Sequence, residues 1–536
     1  MKLTAAYEKP QRLQVDVLAL PLFVDGPAAG MVDSVDRLLG GLIKDMRSGG
    51  EFKGRDTDES ILPAGKKLQA KRVLLVGLGE RNAFDAASVM RYAGAAVRAA
   101  AKRGFGSIGI VLPEGDVADR DVGEAAASGA IMAVFDPAPY RTKRDNKPDS
   151  LKNVSLLASR PEAIDELSAG VERGIIFGEA ANAARQMVNT PSNEMTPSHL
   201  ASRASEFAKK LGLKVTVLDR PELERLGMGS FLSVAAGSDE PPKMIVLEYA
   251  GDKKSKTILG LIGKGVTFDT GGISLKPAQD MDAMKGDMAG GATVIAAMAA
   301  IARLKPKANV IGIVGATENM PSGKATKPGD IVKALNGKSI EVINTDAEGR
   351  MVLADALGYA RKLKATHLVD IATLTGAVVV ALGNTTTGVM SNDRELVDLF
   401  HEASAASGER YWELPLFPEY SELIRSPIAD MKNSGGRPAG SIYGAMFLKE
   451  FVDDTPWIHL DIAGTSWTDR EGGHLTKGPT GVALRPLVRL AELLAERPVH
   501  YKADEAAHKR LVGGFRPRQE SGRSNGSPVS KAKART

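Results

Sequence analysis

Between Asn344 and Arg350 the chain reads Asn-Thr-Asp-Ala-Glu-Gly-Arg, two carboxylates and a guanidinium within five residues, directly after the apolar Ile340, Val342 and Ile343. In an extended segment side chains alternate, so Asp346, Glu348 and Arg350 are expected on one face. Three ionisable groups facing the same way are costly to desolvate unless a divalent cation offsets the cost. In isolation such a triplet is more often a solvated turn with a local ion pair. The chemistry-bearing residues about eighty positions upstream decide the matter.

There, residues 260–272 read Gly-Leu-Ile-Gly-Lys-Gly-Val-Thr-Phe-Asp-Thr-Gly-Gly, followed by Lys276-Pro277 and by Met284-Lys285-Gly286-Asp287-Met288-Ala289-Gly290-Gly291. Asp269 and Asp287 bring the carboxylates to four. Lys264 stands five residues before Asp269, about 17 Å away in an extended chain, and a turn at its flanking glycines is expected to fold it back. A protonated lysine is a poor metal ligand, but nearby dications depress its pKa and free the lone pair. Four carboxylates and one amine suit a pair of metal ions, with some carboxylates bridging.

These blocks resemble the leucyl aminopeptidases of the dizinc type. The resemblance runs from about residue 182 to about residue 494 and includes Glu318-Asn319-Met320-Pro321, Ala372-Thr373-Leu374-Thr375-Gly376-Ala377, Asp461-Ile462-Ala463-Gly464 and Lys477-Gly478-Pro479-Thr480-Gly481. It implies that Lys264, Asp269, Asp287, Asp346 and Glu348 ligate the metals, with Asp269 and Glu348 bridging. It implies that Lys276 polarises the scissile carbonyl and that Arg350 holds a bicarbonate ion that shuttles protons. Met284, Asn344, Ala347, Thr373, Leu374 and Gly376 take substrate-binding roles by the same resemblance. The implied activity is metal-dependent removal of unblocked N-terminal residues, leucine and other apolar residues first, through a hydroxide bridging two divalent ions, Mn2+ or Zn2+. A homohexamer and a macro-domain-like N-terminal domain are implied as well.

The residues make chemical sense on their own terms. Two close dications can hold a hydroxide and polarise a carbonyl. A free α-amine can ligate one of them, so a blocked N-terminus should bind badly. Lys276 would place positive charge where an oxyanion develops. Arg350 offers a planar fork that matches bicarbonate. The seven histidines include no HExxH pair.

Competing motifs fail on their missing partners. Asp269-Thr270-Gly271 matches an aspartic-protease triplet, but no second copy exists. Gly337-Lys338-Ser339 lacks the P-loop glycine at position 332, which is Val332. The strand-and-glycine run Val73–Gly79 has Asn82 where a dinucleotide fingerprint wants glycine. Met284 and Met288 could be one buried helix face, or by resemblance Met284 lines a side-chain pocket. His367 and His459 lie in apolar runs and are expected to be satisfied core residues. Where the family usually has small residues, this chain has Ser441-Ile442-Tyr443-Gly444-Ala445-Met446, so Tyr443 or Met446 could reshape the pocket.

At 536 residues, 43% hydrophobic and 25% charged, the chain suits an α/β protein of two domains. Without cysteine it has neither disulfides nor thiolate ligands, which leaves oxygen and nitrogen donors. With no signal-peptide core and no apolar run of eighteen, a cytoplasmic location away from membranes is expected. The net charge of +5 is uneven: residues 509–536 hold eight Lys or Arg against Glu520, so the remainder carries about −2. That basic tail is expected to be disordered, and its charge makes nucleic acid an alternative partner beside peptide substrates.

Alternating strand and helix signals place an N-terminal α/β domain at 1–162, a linker helix at 163–188, a catalytic domain with a mixed sheet at 189–500 and the tail at 501–536. In the N-terminal domain strands are expected near 13–21, 73–76 and 107–112. In the catalytic domain they are expected near 214–218, 244–249, 257–262, 309–316 and 367–372, with ligands at strand ends. Two other classes stay open: a nucleic-acid-binding protein that keeps the site as a relic, and a two-metal phosphoryl hydrolase.

Overall fold

The computed structural model describes residues 1–26, 30–143 and 150–499; the basic tail lies outside the described residues. Strands β1 (Lys2–Ala6), β2 (Val17–Phe23), β3 (Glu59–Pro63), β4 (Arg72–Gly79), β5 (Ser107–Val111) and β6 (Asn153–Leu157) form one sheet in the order β1-β6-β5-β2-β4-β3. Every neighbouring pair is parallel except β3 with β4. A parallel sheet is covered on both faces, and all seven residues of β2 are buried. Its alternate residues feed two cores. Leu18, Leu20 and Leu22 pack with Val32, Val35 and Ile43 of α1 (Gly30–Leu38) and α2 (Leu42–Ser48). Val17 and Ala19 pack beneath α3 (Ala86–Lys102) and α4 (Asp119–Met132).

Helix α5 (Ile164–Asn189) leads into the second domain and ends at Thr190-Pro191, as expected for a residue that must precede proline. It lies against α4 closely enough that a Cβ on Gly170 would come 1.9 Å from the Arg120 carbonyl oxygen. Small residues at this crossing are a packing requirement.

The second sheet gathers β7 (Lys214–Leu218), β8 (Lys243–Ala250), β9 (Leu259–Asp269) and β10 (Asn309–Asn319). A small sheet of β11 (Ile331–Lys333), β12 (Ser339–Glu341) and, later in the chain, β16 (Met431–Lys432) stands apart. The large sheet is completed by β13 (His367–Ala372), β14 (Thr386–Ser391), β15 (Arg410–Glu413) and β17 (Trp457–Asp461). Its order is β15-β14-β17-β13-β9-β10-β8-β7, with β17, β13, β9 and β10 mutually parallel and antiparallel pairs toward the edges. The architecture is thus two α/β domains, the larger built on a mixed sheet.

Helices α6 (Pro197–Leu211), α7 (Arg220–Leu226), α8 (Gly229–Val234), α9 (Ala289–Leu304), α10 (Glu348–Lys362), α11 (Gly376–Leu382), α12 (Arg394–Ser404), α13 (Gly440–Lys449) and α14 (Leu484–Glu496) complete the domain. One core joins α5, α6, α9, α12 and α14 to one sheet face; the other joins α8, α10 and α13 to the opposite face. Met281–Leu304, the one stretch among the described residues long and apolar enough to cross a membrane, is 83% buried within the protein.

A buried charge network fastens the domains. Arg173 on α5 donates to Glu124 on α4 at 3.0 Å and to both carboxylate oxygens of Glu492 on α14 at 3.0 Å, and Arg489 reaches Glu124 at 2.9 Å. Removing one member of such a network strands its partners. Glu124→Ala is therefore expected to destabilise the chain by about 3 kcal/mol, read as a lower melting temperature with the far-ultraviolet dichroism of the folded state retained.

Candidate metal centre

The site gathers at the carboxyl ends of the central parallel strands, where an open α/β sheet presents a crevice. Strand β9 carries both Lys264 and Asp269. Residues five apart on a regular strand face opposite ways. Here the partner strand β10 advances only four residues, from Gly315 opposite Lys264 to Asn319 opposite Asp269, because the pairing shifts between Thr317 and Glu318. The extra residue on β9 is a bulge at Thr267, which turns both side chains to the same face. This corrects the expected glycine turn: β9 runs unbroken through the motif, well past residue 262.

The segment 344–350 also differs from the extended form expected of it. After β12 the chain turns, and Glu348 opens α10. Helical spacing sends Glu348 and Arg350 to different neighbours. Glu348 Oε1 lies 2.7 Å from Lys264 Nζ, whereas Arg350 Nη1 donates to the Asn433 carbonyl oxygen at 2.7 Å. Its guanidinium also stands 5.1 Å from the Tyr443 ring centre. The turn brings carboxylate oxygens of Asp269, Asp346 and Glu348 within 4.8 Å of one another.

Asp287 arrives from the short helical turn before α9. Its Oδ1 accepts from Lys264 Nζ at 2.7 Å and from Thr373 Oγ1 at 2.7 Å. Lys264 Nζ also donates to the Thr373 carbonyl oxygen at 2.9 Å. Lys276, on the loop after β9, reaches Asp269 Oδ2 at 2.8 Å and contacts Asp346 Oδ1.

The residues expected at the substrate position lie around this cluster. The Asn344 side chain accepts from the Asp346 amide at 2.9 Å, and the Ala347 amide donates to the Asn344 carbonyl oxygen at 3.2 Å. The Leu374 amide donates to Asp461 at 3.2 Å, and Gly376 begins α11. Met284 is half-buried in the turn Met281–Gly286, while Met288 is fully buried ahead of α9, so the two do not form one helical face.

Lys264, Asp269, Asp287 and Glu348 are all buried. Burial, with Glu348 and Asp269 nearby, pushes Asp287 well above the carboxylate range, and burial with Asp269 raises Glu348. Burial also raises Asp346, against the pull of Lys276. Burial pulls Lys264 down, yet Asp287, Glu348 and Asp269 outweigh it and hold the amine above the usual lysine range. With every group ionised, four carboxylates against two lysines would hold an excess of two negative charges in a desolvated place, a load that the protein's own cations do not balance. Asp287 Oδ2 and Glu348 Oε2 are buried without a hydrogen-bond partner. Orphaned anionic oxygens converging at this spacing fit divalent cations.

Several residues position these groups, and of them Asn433 lies outside every motif the sequence displays. A Cβ on Gly349 would lie 2.7 to 2.9 Å from Lys264 Cε, Cδ and Nζ, so only glycine lets the lysine cross the start of α10. Asn433, fully buried, accepts from the Ile343 amide at 2.8 Å and donates to the Asn344 carbonyl oxygen at 2.7 Å, pinning the turn. Asn319 donates to Asp269 Oδ1 at 2.8 Å and to the Thr345 carbonyl oxygen at 3.0 Å. Tyr443 lies against Arg350 with its hydroxyl donating to the Gly436 carbonyl oxygen at 2.8 Å, and Met446 is buried in the helix-side core. Gly349→Ala should displace Lys264 and lower turnover roughly tenfold or more, about 1.4 kcal/mol or above, with steady-state kinetics at saturating metal as the check.

Among the core histidines, His367 is satisfied at both nitrogens, by Thr366 at 2.9 Å and the Val499 carbonyl oxygen at 3.1 Å. His459 is satisfied at one only: Nδ1 meets Asp370 at 2.6 Å, while Nε2 has no partner among the described residues.

A buried carboxylate and lysine cluster at the carboxyl edge of an open α/β sheet defines a metal-dependent hydrolase. Residues 182–488 match the cytosol aminopeptidase family, catalytic domain, and residues 19–144 match the N-terminal domain of the same family. The probable cytosol aminopeptidase of Alkaliphilus metalliredigens is 46% identical over 497 residues, covering 92% of this chain and 99% of that protein. That of Solibacter usitatus is 47% identical over 492 residues, with the same coverage. Among solved structures, a mutant of tomato leucine aminopeptidase superposes with a TM-score of 0.83 at 34% identity, covering 92% of this chain and 96% of that one. The bottromycin maturation enzyme BotP, also solved in complex with Mn, gives 0.79 at 34% identity, covering 90% and 100%. The chain belongs to the cytosol aminopeptidase family, and its activity is that of a metal-dependent aminopeptidase.

Proposed function

We propose that the chain removes unblocked N-terminal residues from peptides, leucine and other apolar residues preferentially, using two divalent cations held by Lys264, Asp269, Asp287, Asp346 and Glu348. The observation that carries this proposal is the pair of orphaned buried oxygens, Asp287 Oδ2 and Glu348 Oε2, within a cluster of excess negative charge. Manganese and zinc both suit oxygen donors with one amine. Such cations, when bound, supply Lewis acidity and a water nucleophile available near neutral pH.

The chain's own residues supply the rest. Lys276 is placed to meet the carbonyl oxygen as charge develops on it, and it exchanges contacts with Asp269 and Asp346 for that role. Arg350, buried with Nε unpartnered, suits a bicarbonate ion that accepts and returns a proton. Asn344, Ala347, Thr373, Leu374 and Gly376 border the site and would orient the peptide backbone, while Met284 offers an adaptable wall for an apolar side chain. The Tyr443 ring lies 5.1 Å from the Arg350 guanidinium and backs it. A cytoplasmic location accords with the family's name, and a homohexamer with the resemblance.

Hydrolysis of leucine p-nitroanilide and its N-acetyl counterpart tests this proposal. Cleavage of the free amine alone, dependent on manganese or zinc, is the expected result; equal cleavage of both would remove the role of the α-amine, and cleavage of a phosphoryl ester alone would favour the phosphoryl hydrolase.

A further inference from the structure

A cavity of about 290 Å3 lies between the two domains, outside the carboxylate cluster. That size is near the lower end for small-molecule sites, about 300–1,000 Å3. Met90 and Arg91 of α3 form the N-terminal wall; Arg410, Trp467, His474 and Arg485 belong to the catalytic domain. Three arginines thus line the cavity beside one carboxylate, Glu409, whose Oε2 is already occupied by the Tyr411 hydroxyl and by the Ala483 amide at 2.9 Å.

The wall behind adds to the positive charge. Arg98 donates to the carbonyl oxygens of Gly473 and Leu475, and the fully buried Arg185 donates to Thr476 Oγ1 at 2.7 Å and to the carbonyl oxygens of Pro479 and Met132 at 2.8 Å. Arg485 donates to the Ser407 carbonyl oxygen. Arg91 Nε pairs with Asp56 Oδ2 at 2.9 Å, whereas among the described residues no ion pair joins Arg98, Arg185, Arg410 or Arg485 to a carboxylate; of these Arg185 and Arg485 are buried, where an arginine ordinarily has such a partner. His474 stands amid them with Nδ1 buried and unpartnered. Burial and the surrounding arginines keep that imidazole neutral. Thr385, Thr468 and Thr480 contribute hydroxyls, and Met90 and Trp467 an apolar side.

We propose that this interdomain cavity binds a small phosphate-bearing molecule, its phosphate held by Arg91, Arg410 and Arg485 and its apolar part against Met90 and Trp467. An excess of guanidinium groups over carboxylates matches a dianion better than a monoanion, and their planar forks match phosphate oxygens. A ligand there touches both domains and, by binding only the folded chain, raises its melting temperature.

The test titrates the full chain with inorganic phosphate at constant ionic strength, balanced with chloride, following tryptophan fluorescence and melting temperature. Hydrolysis plays no part in either readout, so failure here leaves the aminopeptidase proposal standing. The expected result is a saturable change in both signals, with the midpoint shifted tenfold or more in the double variant Arg91→Gln, Arg410→Gln, whose phosphate-free peptidase activity is unchanged. Trp467→Phe should lose the fluorescence change and keep the melting shift. A non-saturating response, or the same midpoint in the double variant, overturns the proposal and identifies an adventitious ion only.

Discussion

Glu348→Gln is expected to lower kcat/KM by about a thousandfold or more, the equivalent of roughly 4 kcal/mol of lost charge stabilisation. The substitution keeps the volume of a side chain that is 3% exposed and changes only its charge and donor pattern. In the native chain Oε1 faces Lys264 and Oε2 faces no protein donor. A neutral amide is a weaker ligand than a carboxylate, and its NH2 group would point at Lys264 or into the cation position. The same change should leave the metal-free protein as stable as the native one, or more so, because it removes one buried charge from a site with two in excess. Activity and metal-free melting temperature therefore move in different directions, a combination that simple misfolding does not give.

Lys276→Met is expected to lower kcat by about a hundredfold to a thousandfold, the effect of removing one donor from a developing oxyanion. KM should change much less, since the contact matters most once charge has built up on the carbonyl oxygen. Lys276 is half-buried and touches Asp269 and Asp346, so its loss also leaves those carboxylates less compensated. Lys276→Arg should not restore the rate, because a planar fork cannot take the place of a compact ammonium held between two carboxylates. A variant with raised KM and native kcat would place Lys276 in substrate binding instead.

Residue types were far more legible in the sequence than the geometry that assembles them. The six charged groups now found in contact, Lys264, Asp269, Lys276, Asp287, Asp346 and Glu348, are all visible as motifs, and the strands 214–218 and 367–372 fall where alternation and β-branched runs place them. The manner of convergence was not legible. Period-2 logic puts Lys264 and Asp269 on opposite faces, and only pairing with β10 reveals the bulge that reconciles them. Glu348 follows an apolar strand, yet it starts a helix because the chain turns at Asp346, a tertiary choice enforced by Asn433 from ninety residues away. Gly349 reads as an ordinary flexible residue until the lysine crossing it is seen. The sequence left open whether Tyr443 or Met446 reaches the side-chain pocket; the contact of the Tyr443 ring with Arg350, between α13 and α10, is one that no local pattern encodes.

The most direct measurement is metal content against activity. Chelator-stripped protein is titrated with manganese, bound metal is counted per chain, and leucine p-nitroanilide hydrolysis is followed at each step beside Glu348→Gln. The expected result is no hydrolysis without metal, recovery that completes as two ions bind per native chain, and fewer ions with no recovery in the variant. Full activity in the stripped protein, or two ions and native rates in Glu348→Gln, would contradict a catalytic dimetal centre at this cluster.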